Sequence, residues 1–181
     1  MLRGTSAGRS PGYAAGVRFE LEQTIPATYD EVVAATLDED YQRSLTDLPP
    51  LEHRELIDQF EDGDGRIVRI TRCLLALHTS SLNRFIGNSD PAWKEEATWH
   101  PDDSHWEWHV IPEVAKELLS AAGRIELEDR GDQTQRTITG EVKVRVPLYG
   151  GKVERWIVAG LEHAYGEEAD RLVEWLEREN A

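Results

Sequence analysis

Cysteine and long uncharged runs are both scarce in this chain, and each shortage narrows the class of protein. Cys73 is the only cysteine among 181 residues, so no disulfide can form within the chain. A composition of this kind is typical of a reducing compartment. The longest stretch without Asp, Glu, Lys or Arg, from Cys73 to Asn83, is too short to cross a bilayer as a helix. No basic start followed by an apolar core indicates a signal peptide, so we expect a cytoplasmic protein.

Basic residues are scarce as well: 20 Lys and Arg stand against 35 Asp and Glu, for a formal net charge of −15. Nucleic acid and anionic membranes repel so acidic a chain unless its basic side chains cluster. In the densest basic stretch, Arg66, Arg69 and Arg72 are separated by other side chains as in a strand, and acidic residues lie nearby in the sequence. We therefore expect no nucleic-acid binding and no membrane insertion.

The common catalytic signatures are missing too. The sequence has no nucleophile elbow, no phosphate-binding glycine loop and no Cys–His signature. Cys73 begins an apolar run, which indicates a buried, inert thiol. We expect no cofactor, and nothing in the sequence predicts an oligomeric state.

The beginning of the chain separates a tail from a domain. Residues 1–16 are rich in Gly, Ser and Ala without periodicity, which predicts a flexible tail before a domain over 17–180. Apolar and polar side chains then alternate up to Pro26, as in a half-buried strand. Thr28 and Glu31 have the spacing of a capping box, which predicts a short helix. A second short helical segment follows.

The middle of the chain has the pattern of an antiparallel meander: it contains three pairs of strand-like runs, and turn residues lie between the two runs of each pair. The predicted strands are 53–60 with 66–77, 93–100 with 105–111, and 123–129 with 135–146. The first pair places Asp58 opposite Arg69 and Glu55 opposite Arg72, and one of these pairs should face inward. A short helix is predicted near Glu113–Ser120, and Thr79–Pro91 is irregular or partly helical.

The last segment, 152–178, is the longest helical pattern. Its apolar residues recur every three or four positions, and charged residues occupy the opposite face. One long amphipathic helix can cover the apolar face of one sheet. The prediction is therefore a two-layer α+β domain with a seven-stranded antiparallel sheet, two short helices after the first strand and a long C-terminal helix. The helix should pack on the face that carries Phe19, Leu21, Val142 and Val144.

This element order resembles the START-like superfamily, also called the Bet v 1-like or helix-grip superfamily, and within it a bacterial domain family of unknown function. The resemblance covers about 17–178 and lies mainly in Arg84–Gly87, in Glu96 with Trp99, and in the strand-to-helix junction Val146–Glu154. It implies a curved sheet wrapped around the long helix, with a pocket between them for lipids, sterols, polyketides or other apolar ligands. Some members bind or carry such ligands, and others cyclise, dehydrate or hydrolyse them.

The hairpin over 93–111 is the most informative segment for a ligand site. Its four-residue turn places Trp99 opposite Trp106 and Trp108 opposite Ala97. The indoles therefore share one face, which we expect to be the inner one because exposed indoles would form a large apolar patch. They either fill the core or line the pocket that the resemblance implies. The expected lining residues are Trp93, Trp99, Trp106, Trp108, Tyr149, Trp156, Leu161 and Tyr165.

The other face of this hairpin gathers His105, Glu107 and His109, with His100 nearby. Imidazole and carboxylate are zinc and iron ligands. A solvated outer face explains the same pattern, and it is the interpretation that we favour. We therefore predict no metal site here.

Two carboxylates interrupt apolar faces. Glu95 lies between Trp93 and Ala97 on the tryptophan face, and Glu168 lies on the apolar stripe of the long helix. A carboxyl group in such surroundings has a raised pKa and can act as an acid or a base. Each can equally lie at the pocket rim or form a structural ion pair with an arginine.

The leading functional prediction is a non-enzymatic binder or carrier of a small apolar molecule. The alternative is a cyclase, dehydratase or hydrolase for an aromatic or polyketide-like substrate, with Glu95 or Glu168 as general acid or base. A third hypothesis is a regulatory or interaction protein whose cavity is filled. Polar groups that converge inside the pocket would separate the first two hypotheses.

Overall fold

The structure, a computed structural model, describes residues 16–75, 89–146 and 150–179. It confirms the predicted α+β class with its two short helices and its long C-terminal helix. In chain order the elements are β1 (Val17–Ile25), α1 (Tyr29–Leu37), α2 (Glu39–Ser44), β2 (Leu51–Glu61), β3 (Ile67–Leu75), β4 (Ala92–His100), β5 (His105–Pro112), β6 (Leu119–Asp129), β7 (Thr134–Val144) and α3 (Gly150–Glu179). Among the described residues, no helix combines the length and the hydropathy that a bilayer crossing requires.

All seven strands form one antiparallel sheet in the order β1-β7-β6-β5-β4-β3-β2. Strands β1 and β2 follow each other in the chain but lie at opposite edges, so α1 and α2 bridge the whole width of the sheet. The predicted capping box of α1 is present, with the Thr28 amide donating to Glu31 Oε2 at 2.9 Å. Helix α3 packs on β1 and β7, as predicted from the apolar stripe.

The tryptophan face of the hairpin is the inner face. Trp99, Trp106 and Trp108 are 4%, 3% and 3% exposed and belong to the main core. The predicted register is confirmed, since Trp99 pairs with Trp106, and Trp108 with Ala97. Cys73 is buried, and burial raises the pKa of its thiol to about 12, as expected for an inert thiol.

A pair of glycines makes room for two aromatic rings on this face. Gly123 of β6 lies opposite Gly140 of β7, and Trp108 lies beside Gly123 on β5. A Cβ at Gly123 would lie 2.5 Å from the Trp108 ring, and one at Gly140 would lie 2.6 Å from the Phe19 ring. The rings of Trp108 and Phe19 therefore occupy the space that side chains would otherwise fill.

Two local predictions are wrong. No helix forms near Glu113–Ser120: residues 113–118 make a turn, with Ala115 at φ 50°, and β6 begins at Leu119. Strand β7 continues to Val144 and pairs with Leu119, so this stretch joins the sheet rather than a helix.

The register of the first hairpin is the second difference. A bulge between Leu56 and Asp58 shifts the pairing by one residue, so Arg69 lies opposite Gln59 instead of Asp58. Glu55 does lie opposite Arg72, as predicted. Predictions for the tail 1–16, apart from Gly16, and for most of Thr79–Pro91 lie outside the described residues.

The glycine pair predicts a steric effect on stability. Gly123→Ala should destabilise the fold by about 1–3 kcal/mol, because the new methyl group overlaps the Trp108 ring and the Thr139 carbonyl. Gly166→Ala in α3 is the matched control: its methyl group meets nothing within 4 Å, and alanine is the better helix former, so about 0.5–1 kcal/mol should be gained. Urea unfolding measures both. Equal effects of the two substitutions would contradict the tight packing described here.

Candidate functional site

The inner faces of β3, β4 and β5 form a continuous surface that we call the inner wall. Its side chains stand in rows across the strands: Thr71 with Glu95 and Val110, Cys73 with Trp93, and Arg69 with Ala97 and Trp108. The end near the β4–β5 turn is closed, because Trp99 and Trp106 are buried there. The other end is more accessible: Trp93, Glu95 and Val110 are only half-buried. The inner wall therefore runs from packed core to a partly open surface.

Two arginines of the sheet hold the short helices in place. Arg69 Nη1 donates to the Thr36 carbonyl in the last turn of α1 at 2.9 Å, and Arg54 Nη1 donates to the Gln42 carbonyl of α2 at 2.9 Å. Cations are favourable at helix C-termini because the last carbonyls lack intrahelical partners. The Arg69 guanidinium also stacks on the Trp106 ring at 4.3 Å. Burial, with Arg54 nearby, lowers the pKa of Arg69 to about 10.

A third buried arginine fixes α3 on the sheet. Arg136 Nη1 donates to Glu168 Oε2 at 3.0 Å, and its Nη2 donates to the Tyr165 carbonyl at 3.2 Å. The Arg136 side chain is 3% exposed and that of Glu168 is 17% exposed. Gln23 of β1 completes this network by accepting from Arg136 Nε at 2.7 Å. Glu168 therefore lies in an interior ion pair that joins α3 to β7.

Glu95 is the carboxyl group of the inner wall itself. Burial raises its pKa, while Arg54 and Arg69 oppose the rise and Glu168 adds to it. Within the described ranges no group donates a hydrogen bond to its carboxylate. Tyr165 of α3 lies within electrostatic reach, because Glu95 is the second cause, after burial, that raises the pKa of Tyr165 well above its usual range. Glu95 is thus a half-buried carboxyl group with a raised pKa, within electrostatic reach of the Tyr165 phenol.

A small cavity lies beside Arg69. Its volume is about 20 Å³, counted as the space open to the centre of a water molecule, which is room for one ordered water. Arg69 Nε borders it and has no hydrogen-bond partner in the described structure. The lining residues are Thr36, Gln42, Arg69, Trp106, Ile125, Leu127, Arg136 and Glu168.

The predicted site residues that the structure describes are buried, half-buried or exposed, and Trp93 is among the half-buried ones. Trp99, Trp106 and Trp108 lie in the packed core, whereas Leu161 and Tyr165 of α3 are half-buried against it. Trp156 lies outside this core and is 42% exposed, so the structure does not bring it to the inner wall. Tyr149 lies outside the described residues.

The histidine face is less solvated than predicted. His105 is 4% exposed and its ring stacks on that of His100, with centroids 4.5 Å apart. Glu107 and His109 are exposed, as expected.

Sequence reasoning missed Arg54 and Arg136. The sequence does contain a signal for Arg136: it lies two residues before Ile138 in the same strand and therefore on the same, inward face. For Arg54, the irregular pairing of β2 interrupts the alternation of inward and outward side chains, so its direction cannot be predicted from the sequence pattern.

Comparison with known proteins identifies the family and the fold. The family described as "Protein of unknown function (DUF2505)" matches residues 20–176, and the chain belongs to it. No curated protein matches the chain. Several solved structures share its START-like fold at low sequence identity.

Three of these structures illustrate the likeness. TTHA0849 from Thermus thermophilus is 14% identical with a TM-score of 0.65, covering 91% of this chain and 100% of its own. The Zhui aromatase/cyclase from Streptomyces sp. R1128 is 14% identical with a TM-score of 0.63, covering 91% and 96%. A START superfamily protein from Mycobacterium smegmatis is 14% identical with a TM-score of 0.56, covering 89% and 97%. Identity this low establishes a shared fold and nothing finer.

The interior ion pair predicts that replacing its buried arginine lowers stability far more than replacing an exposed, ion-paired arginine. Arg136→Met should cost about 3–5 kcal/mol, because it leaves the Glu168 carboxylate buried without its partner. Arg43→Met is the control, since the Arg43–Glu39 pair is exposed and should contribute at most about 0.5 kcal/mol. Adding Glu168→Leu to Arg136→Met should recover part of the loss in urea unfolding. Similar costs for the two single variants would refute the structural role of this pair.

The raised pKa of Glu95 predicts a pH-dependent stability. A carboxyl group whose pKa is higher in the folded state destabilises the fold as pH rises above its unfolded value, because it must ionise in the interior. Glu95→Gln should therefore be more stable than the parent at pH 7, and the advantage should shrink as pH falls toward 4.5. Thermal melting across this range measures the difference, with Glu96→Gln on the outer face of the same strand as the control for a general charge effect. An advantage that stays constant with pH would contradict the raised pKa.

Proposed function

We propose that this chain binds a small, largely apolar molecule that carries an acceptor oxygen, in the space between the inner wall and α3. The observation that carries this proposal is the half-buried end of the inner wall, where Trp93 and Val110 flank Glu95. Tyr165 and Leu161, one turn apart on α3, contribute the facing surface. Inward-facing apolar groups that keep some accessible surface are typical of a ligand pocket.

The polar groups favour a ligand with a carbonyl or a hydroxyl oxygen. The pKa values of Glu95 and Tyr165 are both raised, chiefly by burial, and a protonated carboxyl group or phenol can donate a hydrogen bond to such an oxygen. The cationic groups nearby are already engaged, since Arg54 and Arg69 hold helix carbonyls. A neutral oxygen acceptor fits this arrangement better than a second carboxylate, which Glu95 would repel when ionised.

The indoles contribute to this proposal in a different way from the sequence prediction. Trp99, Trp106 and Trp108 pack in the core and give the inner wall a rigid base. Trp93 is the tryptophan with accessible surface on the wall, and it stands next to Glu95 in the alternation of β4. We therefore assign the ligand contact to Trp93, Glu95, Val110, Leu161 and Tyr165.

A second candidate function is acid–base catalysis on a carbonyl compound. It is favoured by one observation: Glu95 is a half-buried carboxyl group with a raised pKa, within electrostatic reach of the Tyr165 phenol. Such a group can remove a proton from the carbon next to a ketone and return it to an oxygen. The structural likeness to the Zhui aromatase/cyclase makes polyketide-like ketones the class to test.

Binding is tested by titrating the tag-free protein with the neutral fluorescent probe N-phenyl-1-naphthylamine. The parent should give a saturable response. Leu161→Glu should weaken it at least about tenfold, because a charge at the wall must lose its hydration when the probe binds. Trp156→Glu, on the exposed part of the same helix, is the matched control and should leave the affinity unchanged. Circular dichroism confirms that both variants fold.

Two outcomes would overturn the proposed pocket. The first is that the parent protein shows no saturable response to the probe. The second is that Trp156→Glu weakens probe binding as much as Leu161→Glu does. Catalysis is tested separately, by mass spectrometry of a linear triketide thioester incubated with the protein. Parent-dependent loss of water that disappears in Glu95→Gln, with probe binding retained, would establish the enzymatic role. Unchanged thioester would leave binding as the function.

A further inference from the structure

The outer end of the β4–β5 hairpin brings together three groups that accept a cation. His100 and His105 are the last pair of the hairpin, and Glu107 follows on β5. One ligand atom from each residue lies within 4.8 Å of the others. In contrast to the expectation from the sequence, we propose that His100, His105 and Glu107 form a binding site for a divalent transition metal, with zinc as the ion to test. This site lies on the opposite face of the sheet from the inner wall.

The contacts of Glu107 favour a cation between the three side chains. Glu107 Oε2 lies 3.7 Å from His100 Nε2, and its Oε1 lies 3.6 Å from His105 Nε2. Within the described ranges no Lys or Arg forms an ion pair with this carboxylate. Arg124 lies directly opposite on β6, yet its guanidinium pairs with Glu126 at 3.1 Å. The carboxylate is therefore directed at the two imidazoles instead of at an available arginine.

A backbone carbonyl lies beside the ring nitrogen of His105 that is not directed at Glu107. His105 Nδ1 lies 3.4 Å from the carbonyl oxygen of Asp103. A carbonyl only accepts hydrogen bonds, so the tautomer with the proton on Nδ1 donates to Asp103 and leaves Nε2 as the ligand atom on the side of Glu107. A backbone carbonyl on the far ring nitrogen is also the usual support of a metal-bound histidine.

The position of His105 makes the site partly built in advance. Its side chain is 4% exposed, and the hairpin turn beside it is held by the Tyr29 hydroxyl, which donates to Ser104 Oγ at 2.7 Å. The other two ligands are free to adjust, since the side chains of His100 and Glu107 are 23% and 61% exposed. The two imidazoles are now stacked 4° from parallel, so His100 must tilt for both Nε2 atoms to approach one ion. Tetrahedral zinc bonds of about 2.0–2.1 Å require ligand atoms about 3.3 Å apart, which is a small change from the distances to Glu107.

The donor set identifies the class of ion. Two imidazoles and one carboxylate suit zinc and related divalent transition metals, whereas magnesium and calcium prefer oxygen donors throughout. Three protein ligands leave a coordination position for water on the exposed side. The strong negative charge of the chain, −15, adds a general attraction for cations.

The site is tested by isothermal titration of metal-free, tag-free protein with zinc chloride, together with thermal melting. The parent should bind one zinc per chain and melt several degrees higher with zinc, because an ion that binds only the folded state stabilises it. Glu107→Gln keeps the shape of the side chain and should weaken zinc binding at least about tenfold. His100→Gln should do the same. Both positions are accessible enough that folding is expected to survive, which His105→Ala does not guarantee.

Control variants separate this site from general attraction of zinc to an acidic chain. His109→Gln changes the next outward-facing residue after Glu107, and His163→Gln changes an exposed histidine of α3. Both should bind zinc like the parent, and magnesium should give no shift in melting temperature. The proposal fails if the parent does not bind zinc, or if Glu107→Gln and His100→Gln bind it as tightly as His109→Gln.

Discussion

The structure depends on covering one apolar face of a wide, open sheet. Seven strands present that face, and α3 packs mainly on the β1–β7 side of it. Burial of apolar surface drives this contact, but a helix lying across a sheet can slide, and polar contacts fix its position. Arg136 with Glu168 holds the middle of α3, and the Glu154 side chain holds its start by accepting from the Val144 amide at 2.7 Å. With α3 fixed on one side, the β3–β5 side keeps an inner wall that the helix does not fully close.

The interior of this acidic protein is, by contrast, balanced in formal charge. Three arginines, Arg54, Arg69 and Arg136, lie there with three glutamates, Glu95, Glu154 and Glu168. Isolated buried charges are costly, so each arginine is matched to acceptors: helix carbonyls for Arg54 and Arg69, a carboxylate for Arg136. Glu95 is the member whose acceptor capacity is not engaged by another described residue. The structural demands of the fold thus separate Glu95 from the other charges and make it the group with chemistry to offer.

The sequence predicts the parts of this molecule that follow from local rules. Alternation and a four-residue turn suffice for the register of the Trp99–Trp106 hairpin, and the spacing of Thr28 and Glu31 suffices for the start of α1. The failures arise where distant segments decide the outcome. The bulge after Leu56 leaves no local trace, and Leu119 joins a strand because β7 is long enough to pair with it.

Sequence reasoning misses Arg54 for the same reason. A lone arginine in a strand is ordinary on an outer face, and only the packing of α1 and α2 against the sheet shows that Arg54 and Arg69 point inward to helix carbonyls. Likewise the outward face of the hairpin is solvated at Glu107 and His109, but the stacked ring of His100 and the neighbouring turn bury His105.

The two faces of the β4–β5 hairpin are linked by its backbone. His100 and His105 follow or precede Trp99 and Trp106 directly in the chain, so each outer ligand shares a peptide unit with an inner indole. Trp106 in turn supports the Arg69 guanidinium that holds the end of α1. Because β-strand side chains alternate between faces, the outer histidines and the inner indoles are chain neighbours that belong to opposite surfaces of one sheet.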